Sequence, residues 1–133
     1  LAWRALRLAG RPGARADLQD NGRYWAERAR QALEVTLWSG RTAREALAPL
    51  GLSYRQLARH FTAALGVSPK RYQLTARVRE AKRLLSETGM SVTAVAAELG
   101  YPSSQHFATQ FLAEVGATPR EWREKWRRQK AEG

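Results

Sequence analysis

The chain has 133 residues, with 23 Lys and Arg against 12 Asp and Glu, no Cys, and a formal net charge of +11. That length suits one compact domain or two small subdomains with a modest core, and the charge favours a polyanionic partner, nucleic acid before an anionic membrane. Without Cys, disulfides and thiolate metal sites are excluded, and the apolar runs are too short and too broken by Arg to offer a membrane span or a signal peptide. Most of the basic residues are Arg on an Ala-rich chain. A GC-rich genome produces that unaided, so charge alone supports a nucleic-acid partner without establishing it.

The chain opens on Leu rather than Met and reads as a piece of something longer. Residues 1–9 form a short Arg-bearing piece of helical character. Residues 11–22, with Pro12, Gly13, Asp20, Asn21 and Gly22, read as a linker. Residues 1–23 together are therefore a linker or the end of an upstream domain, and 24–133 the domain proper. Everything after is helical: no alternating strand pattern occurs, and the punctuation is Ser/Thr caps and Gly stops. A first helix over about 24–38 carries Trp25, Ala29, Leu33 and Leu37 on one face and ends at Gly40. The second starts with the capping box Thr42-x-x-Glu45 and stops at Gly51; the third starts with Ser53-x-x-Gln56 and stops at Gly66. Ser68-Pro69 opens a long helix to about 86, with Leu74, Val78, Ala81 and Leu85 in a stripe. Helices over 92–99 and about 104–115 follow, closed by Gly100 and Gly116, and Thr118-Pro119 opens a last one that fades into a basic tail.

A repeat organises these pieces. Leu57, Ala58, Phe61, Ala63, Gly66, Ser68, Pro69, Lys70 and Tyr72 return fifty residues later as Phe107, Ala108, Phe111, Ala113, Gly116, Thr118, Pro119, Arg120 and Trp122. Upstream, Leu50-Gly51 matches Leu99-Gly100 with a one-residue slip. The fold class is thus all-α, about seven helices in two helix-turn-helix subdomains joined by a long central helix. The first unit spans about 42–66, the bridging helix about 69–86, the second unit about 91–116 and the closing helix about 119–130. A short helix, a tight Gly turn and a second helix that enters the major groove is the helix-turn-helix layout. One copy is equally compatible with a plain helical bundle; two copies on a basic chain favour DNA.

The most specific stretches are Gly51-x-Ser53-x-x-x-Leu57-x-Arg59-x-Phe61-x-x-x-x-Gly66 and Arg77-Val78-x-x-Ala81-x-x-Leu84-Leu85. Val95-Ala96-x-x-x-Gly100-Tyr101 and Phe107-x-x-x-Phe111-x-x-x-x-Gly116-x-Thr118-Pro119-x-x-Trp122-Arg123 complete the set. On these the chain resembles the AraC/XylS family of bacterial transcription regulators, from the first helix to Trp126. The resemblance implies a sequence-specific regulator's DNA-binding domain, located in the cytoplasm at the bacterial nucleoid. Its implied partners are double-stranded DNA, RNA polymerase, and an effector held by an upstream domain. Other readings are a non-specific basic or architectural nucleic-acid binder, or the DNA-targeting part of a repair enzyme. Four residues depart from the family pattern. Leu47 replaces a small residue under the first turn, and Pro49 falls in the last turn of the second helix, which predicts distortion there. Thr109 stands for the usual Arg and Leu112 for the usual Lys, which predicts weaker DNA contact by the second unit.

Helical stepping places Arg55, Arg59 and Thr62 opposite Leu57, Phe61 and Ala64 on the third helix. Arg donates to O6 and N7 of guanine together, so these residues are the candidate base readers. On the sixth helix Ser104, Gln105 and Thr109 are the counterparts, yet no Lys or Arg occurs between Leu84 and Pro119, while Glu87, Glu98 and Glu114 do. Free N–H groups at helix starts bind anions, so Ser53, Tyr54, Lys70, Arg71, Arg120 and Arg123 are candidate phosphate contacts. Arg77, on the bridge, suits a structural role equally well. No Ser-His-Asp set, paired acid or phosphate-cradling Gly loop appears. His60 and His106 lack partners at metal-ligand spacing. Catalysis, metal and cofactor are therefore not expected.

Overall fold

The computed structural model describes the backbone of residues 14–132 and the side chains of residues 21–132. Seven α-helices and no strand occur among them: α1 Ala14–Val35, α2 Ala43–Leu47, α3 Tyr54–Leu65, α4 Pro69–Glu87, α5 Val92–Glu98, α6 Ser104–Val115 and α7 Pro119–Glu132. The expected piece over residues 1–9 lies outside the described residues. The caps are those the sequence signals. Thr42 and Ser53 each close a full capping box, and Ser68 accepts from the Arg71 N–H with Pro69 in the first turn.

Two expectations are corrected. The linker read over 11–22 is helical from Ala14 onward, and Gly22 does not stop α1. A single helical Gly costs only about 1 kcal/mol against Ala. Here it also makes room, since a Cβ on Gly22 would lie 3.2 Å from the His60 ring of α3. Ala64, expected in the core, is exposed, because the last turn of α3 runs past the elements that cover Leu57 and Phe61. The distortion expected near Pro49 is present: α2 stops at Leu47 and continues as a 3-10 turn over Ala48–Leu50, ending at Gly51 with φ +88°. Leu47 itself is fully buried, so the larger residue is absorbed by the core.

There are two cores rather than one. The first gathers Ala29 and Leu33 of α1, Ala43, Ala46 and Leu47 of α2, and Leu57 and Phe61 of α3, with Tyr72 packed against it. The second gathers Val78, Ala81, Leu84 and Leu85 of α4, Val95, Ala96 and Leu99 around α5, and Phe107 and Phe111 of α6, with Trp122 packed against it. The stripe on the bridging helix therefore belongs to the second unit, in which α4 has the place that α1 has in the first. The repeat extends to side-chain geometry. Phe61 meets Tyr72 edge-on at 5.4 Å, and fifty residues on Phe111 meets Trp122 edge-on at 6.4 Å.

Candidate nucleic-acid interface

Helix α3 has one face in the core, and burial of Leu57 and Phe61 forces Arg55, Arg59 and Thr62 to the opposite, exposed side. Neither guanidinium has an ion pair or hydrogen bond among the described residues, so both forks are open to a partner. One turn apart on a helix, the two side chains are neighbours on one exposed face. Ser53 caps the helix with its hydroxyl, while Tyr54 is half-buried beneath the Arg44 guanidinium, 4.5 Å from the ring centroid. Sequence reasoning assigned no role to Arg44. Two residues after the Thr42 cap, it gains its place only from the packing of α2 on α3.

Between the two units runs an open groove of about 740 Å³, whose walls include Arg41, Thr42, Arg44, Tyr54 and Lys70 from one side and Tyr101 from the other. Arg41, Arg44 and Lys70, with Arg77 at the back, thus converge on a concave surface that joins the starts of α3 and α6. On α6, burial of Phe107 and Phe111 leaves Gln105, Thr109 and Leu112 exposed and Ser104 half-buried. The Thr109 hydroxyl donates to the Gln105 carbonyl at 3.0 Å, and the Ser103 hydroxyl accepts from the His106 N–H. Tyr101 donates its hydroxyl to Gln110.

The cations expected at phosphates divide. Lys70 and Arg120 are exposed, but Arg71 is paired with Glu114 of α6 at 2.9 Å. Arg123 turns inward, its Nε donating to the Leu85 carbonyl at 2.9 Å and its Nη2 to the Met90 carbonyl, which ties α7 to the end of α4. That geometry gives Arg123 a structural role, with two of its three nitrogens engaged by carbonyls. Its repeat counterpart, Gln73, does the same in the first unit: 4 % exposed, it donates to the Arg41 carbonyl at 3.1 Å. Arg77 joins it, donating to the Leu37 and Arg41 carbonyls at 2.9 and 3.0 Å, and burial pulls its pKa below the ordinary guanidinium value. The start of α7 is already occupied by an anion. The Glu121 carboxylate accepts from the Thr118 N–H at 3.0 Å and is held below the usual carboxylate range by it, so a phosphate there meets a like charge.

Electrostatics on the bridge are correspondingly thinner than residue counting suggests. Arg83 pairs with Glu80 and Glu87, and Lys82 lies 5.0 Å from the Trp122 ring centroid. With Arg71 and Arg77 also engaged, the cations between Ser53 and Arg83 that have no hydrogen bond, ion pair or ring contact among the described residues are Arg55, Arg59, Lys70 and Arg79. Helix α6 has none.

The model of the helix-turn-helix domain family matches residues 47–125 of the chain. The transcriptional regulator GbdR of Pseudomonas aeruginosa is 39% identical over 75 residues, 56% of this chain and 20% of that protein. The transcriptional activator RhaS of Escherichia fergusonii is 37% identical over 91 residues, 68% of this chain and 31% of its own length. The chain thus spans about a fifth to a third of these curated relatives. Among solved structures, the DNA-binding domain of AdpA, crystallised with a target DNA, superposes with a TM-score of 0.69 at 28% identity, covering 82% of this chain and 97% of that one. The family match runs from the end of α2 through α3, the bridge and the second unit into α7, and with it the chain belongs to the AraC-type helix-turn-helix family, as a DNA-binding domain of transcription regulators.

Proposed function

We propose that the domain binds one asymmetric DNA site, with α3 as the principal base reader and α6 as a weaker one in the adjacent major-groove segment. The observation that carries this is the open, exposed pair Arg55 and Arg59, on the face of α3 opposite Phe61. Their forks fit guanine O6 and N7, and Thr62 extends the same face. Ser53, Tyr54, Lys70 and Arg44 line or adjoin the groove between the units and supply contacts to the sugar-phosphate backbone that crosses it. Arg120 lies beyond that groove and adds diffuse attraction, and Arg71 contributes only when it leaves Glu114. Ser104, Gln105 and Thr109 face the second segment.

We further propose that the domain belongs to a longer protein, as its relatives do, with an effector-binding domain upstream and contact with RNA polymerase at the promoter, in the bacterial cytoplasm at the nucleoid. The activator named among the relatives supports this reading. Among the described residues no helix is long and apolar enough to cross a membrane.

The test starts with selection of bound duplexes from random DNA. On the selected site, Arg55→Ala and Arg59→Ala should each cost about 1–3 kcal/mol and relax base preference in one half. Equal weakening on selected and random duplexes would overturn base reading by α3 and leave a non-specific binder.

A further inference from the structure

The chemistry exposed on α6 differs in kind from that on α3. Helix α3 offers two guanidinium forks. Helix α6 has no cation, and several polar groups on and beside it are already engaged. The Ser103 hydroxyl caps the helix, the Thr109 hydroxyl donates to the Gln105 carbonyl, and Gln110 takes the Tyr101 hydroxyl. With its donor used inside the helix, Thr109 presents a methyl group and a residual acceptor. Leu112, one turn further on, is 46% exposed. Gln105, whose side-chain amide has no hydrogen bond among the described residues, begins this i, i+4, i+7 line. Along this line one amide is followed by two apolar groups, with the exposed His106 ring to its side, 6.2 Å from Tyr101.

We propose that α6 reads A·T pairs, Gln105 taking an adenine and Leu112, with the Thr109 methyl, taking thymine methyl groups. Guanine shows the major groove two acceptors, N7 and O6, which are met best by the cationic Arg or Lys donors that α6 lacks. Adenine shows an N6 donor beside the N7 acceptor, matching both ends of a Gln amide, and thymine alone among the bases carries a C5 methyl. Leu112 is accordingly a specificity-determining residue rather than a stray apolar one. The site recognised by the domain is then asymmetric in composition as well as strength, with guanine under α3 and an A·T-rich segment about one helical turn away. The inference rests on the reading that α6 faces a second major-groove segment, and its test keeps the two apart.

The experiment uses the intact domain and a duplex selected from random DNA, with each thymine of the second segment replaced in turn by uracil. Uracil pairs as thymine does and lacks only the methyl. At the position under Leu112 the replacement should weaken binding about fourfold, the effect of one buried methyl group, and should have no effect on Leu112→Ala. Gln105→Ala should lose its preference for adenine at one position and keep the remaining preferences. Footprinting separates the failures. Protection of the second major-groove segment with guanine preferred there, or with uracil tolerated throughout, would overturn A·T reading alone. Absence of protection over that segment would overturn the placement of α6 and the inference together.

Discussion

Gly40 and Gly100 touch backbone to backbone, one in the turn that leads into the first unit and the other inside the turn of the second. Both have positive φ, +79° and +81°, and a Cβ on Gly100 would stand 2.5 Å from the Gly40 nitrogen and 2.6 Å from the Trp38 carbonyl oxygen. The contact locks the two units beside each other where Gln73 and Arg77 also hold the Leu37–Arg41 turn. Gly100→Ala should leave both cores folded but spread the units, weakening binding to a two-segment site while sparing a duplex that carries only the segment under α3. The control is Gly51→Ala. It is the repeat counterpart, with φ +88° but nothing within 4 Å, so it carries the backbone strain of about 1–3 kcal/mol without the collision. If the two variants bind the full site alike, the glycine contact does not set the geometry.

Phe61 and Phe111 test the two-core architecture. Each is fully buried at the same place in its unit, against Tyr72 and Trp122 respectively. Truncation to Ala should cost about 3–5 kcal/mol of folding stability. Because the cores are separate, Phe111→Ala should lose the amide protection of α5 and α6 first, and Phe61→Ala that of α2 and α3. Hydrogen exchange read helix by helix checks this, and uniform loss in either variant would merge the cores into one.

Arg123 distinguishes a structural cation from a DNA contact. Its two hydrogen bonds to the Leu85 and Met90 carbonyls predict that Arg123→Ala lowers stability by roughly 1.5–3 kcal/mol and leaves the salt dependence of DNA binding unchanged. Lys70→Ala should behave in the opposite way, with an unchanged melt and a salt slope shallower by about 0.9. A shallower slope for Arg123→Ala would return that residue to the phosphate contacts.

Much of this was legible in the residues. The caps at Thr42, Ser53 and Ser68 and the Phe61/Phe111 repeat place the start of α2 and both ends of the five later helices within a residue or two, because capping and core burial are local and periodic. What was hidden depends on long-range geometry. Arg123 and Arg71 look like free cations until the fold sets a carbonyl pair before one and Glu114 before the other. Gly22 reads as a breaker until the approach of His60 explains its use inside α1. Arg44 gains meaning only when the turn of the chain stacks it on Tyr54 and opens the groove beside it.

Charge added to α6 should respond if that helix faces DNA. Thr109→Arg supplies a cation where the helix has none, and should raise affinity and steepen the salt slope by up to about 0.9. The substitution lies on the exposed face, so an unchanged melt is expected alongside. No change in either affinity or slope would place Thr109 away from the duplex.

The unequal division of one site between two units is tested most directly by scrambling each half of the selected duplex in turn and measuring affinity across a salt series. Open cations cluster around α3 and are missing from α6, so scrambling the segment under α3 should reduce binding to the level of random DNA. Scrambling the segment under α6 should cost far less and leave the salt slope nearly intact, since phosphate contacts, not bases, set that slope. Equal losses from the two scrambles would contradict the account, and would mean that α6 reads bases as strongly as α3 without any cation of its own.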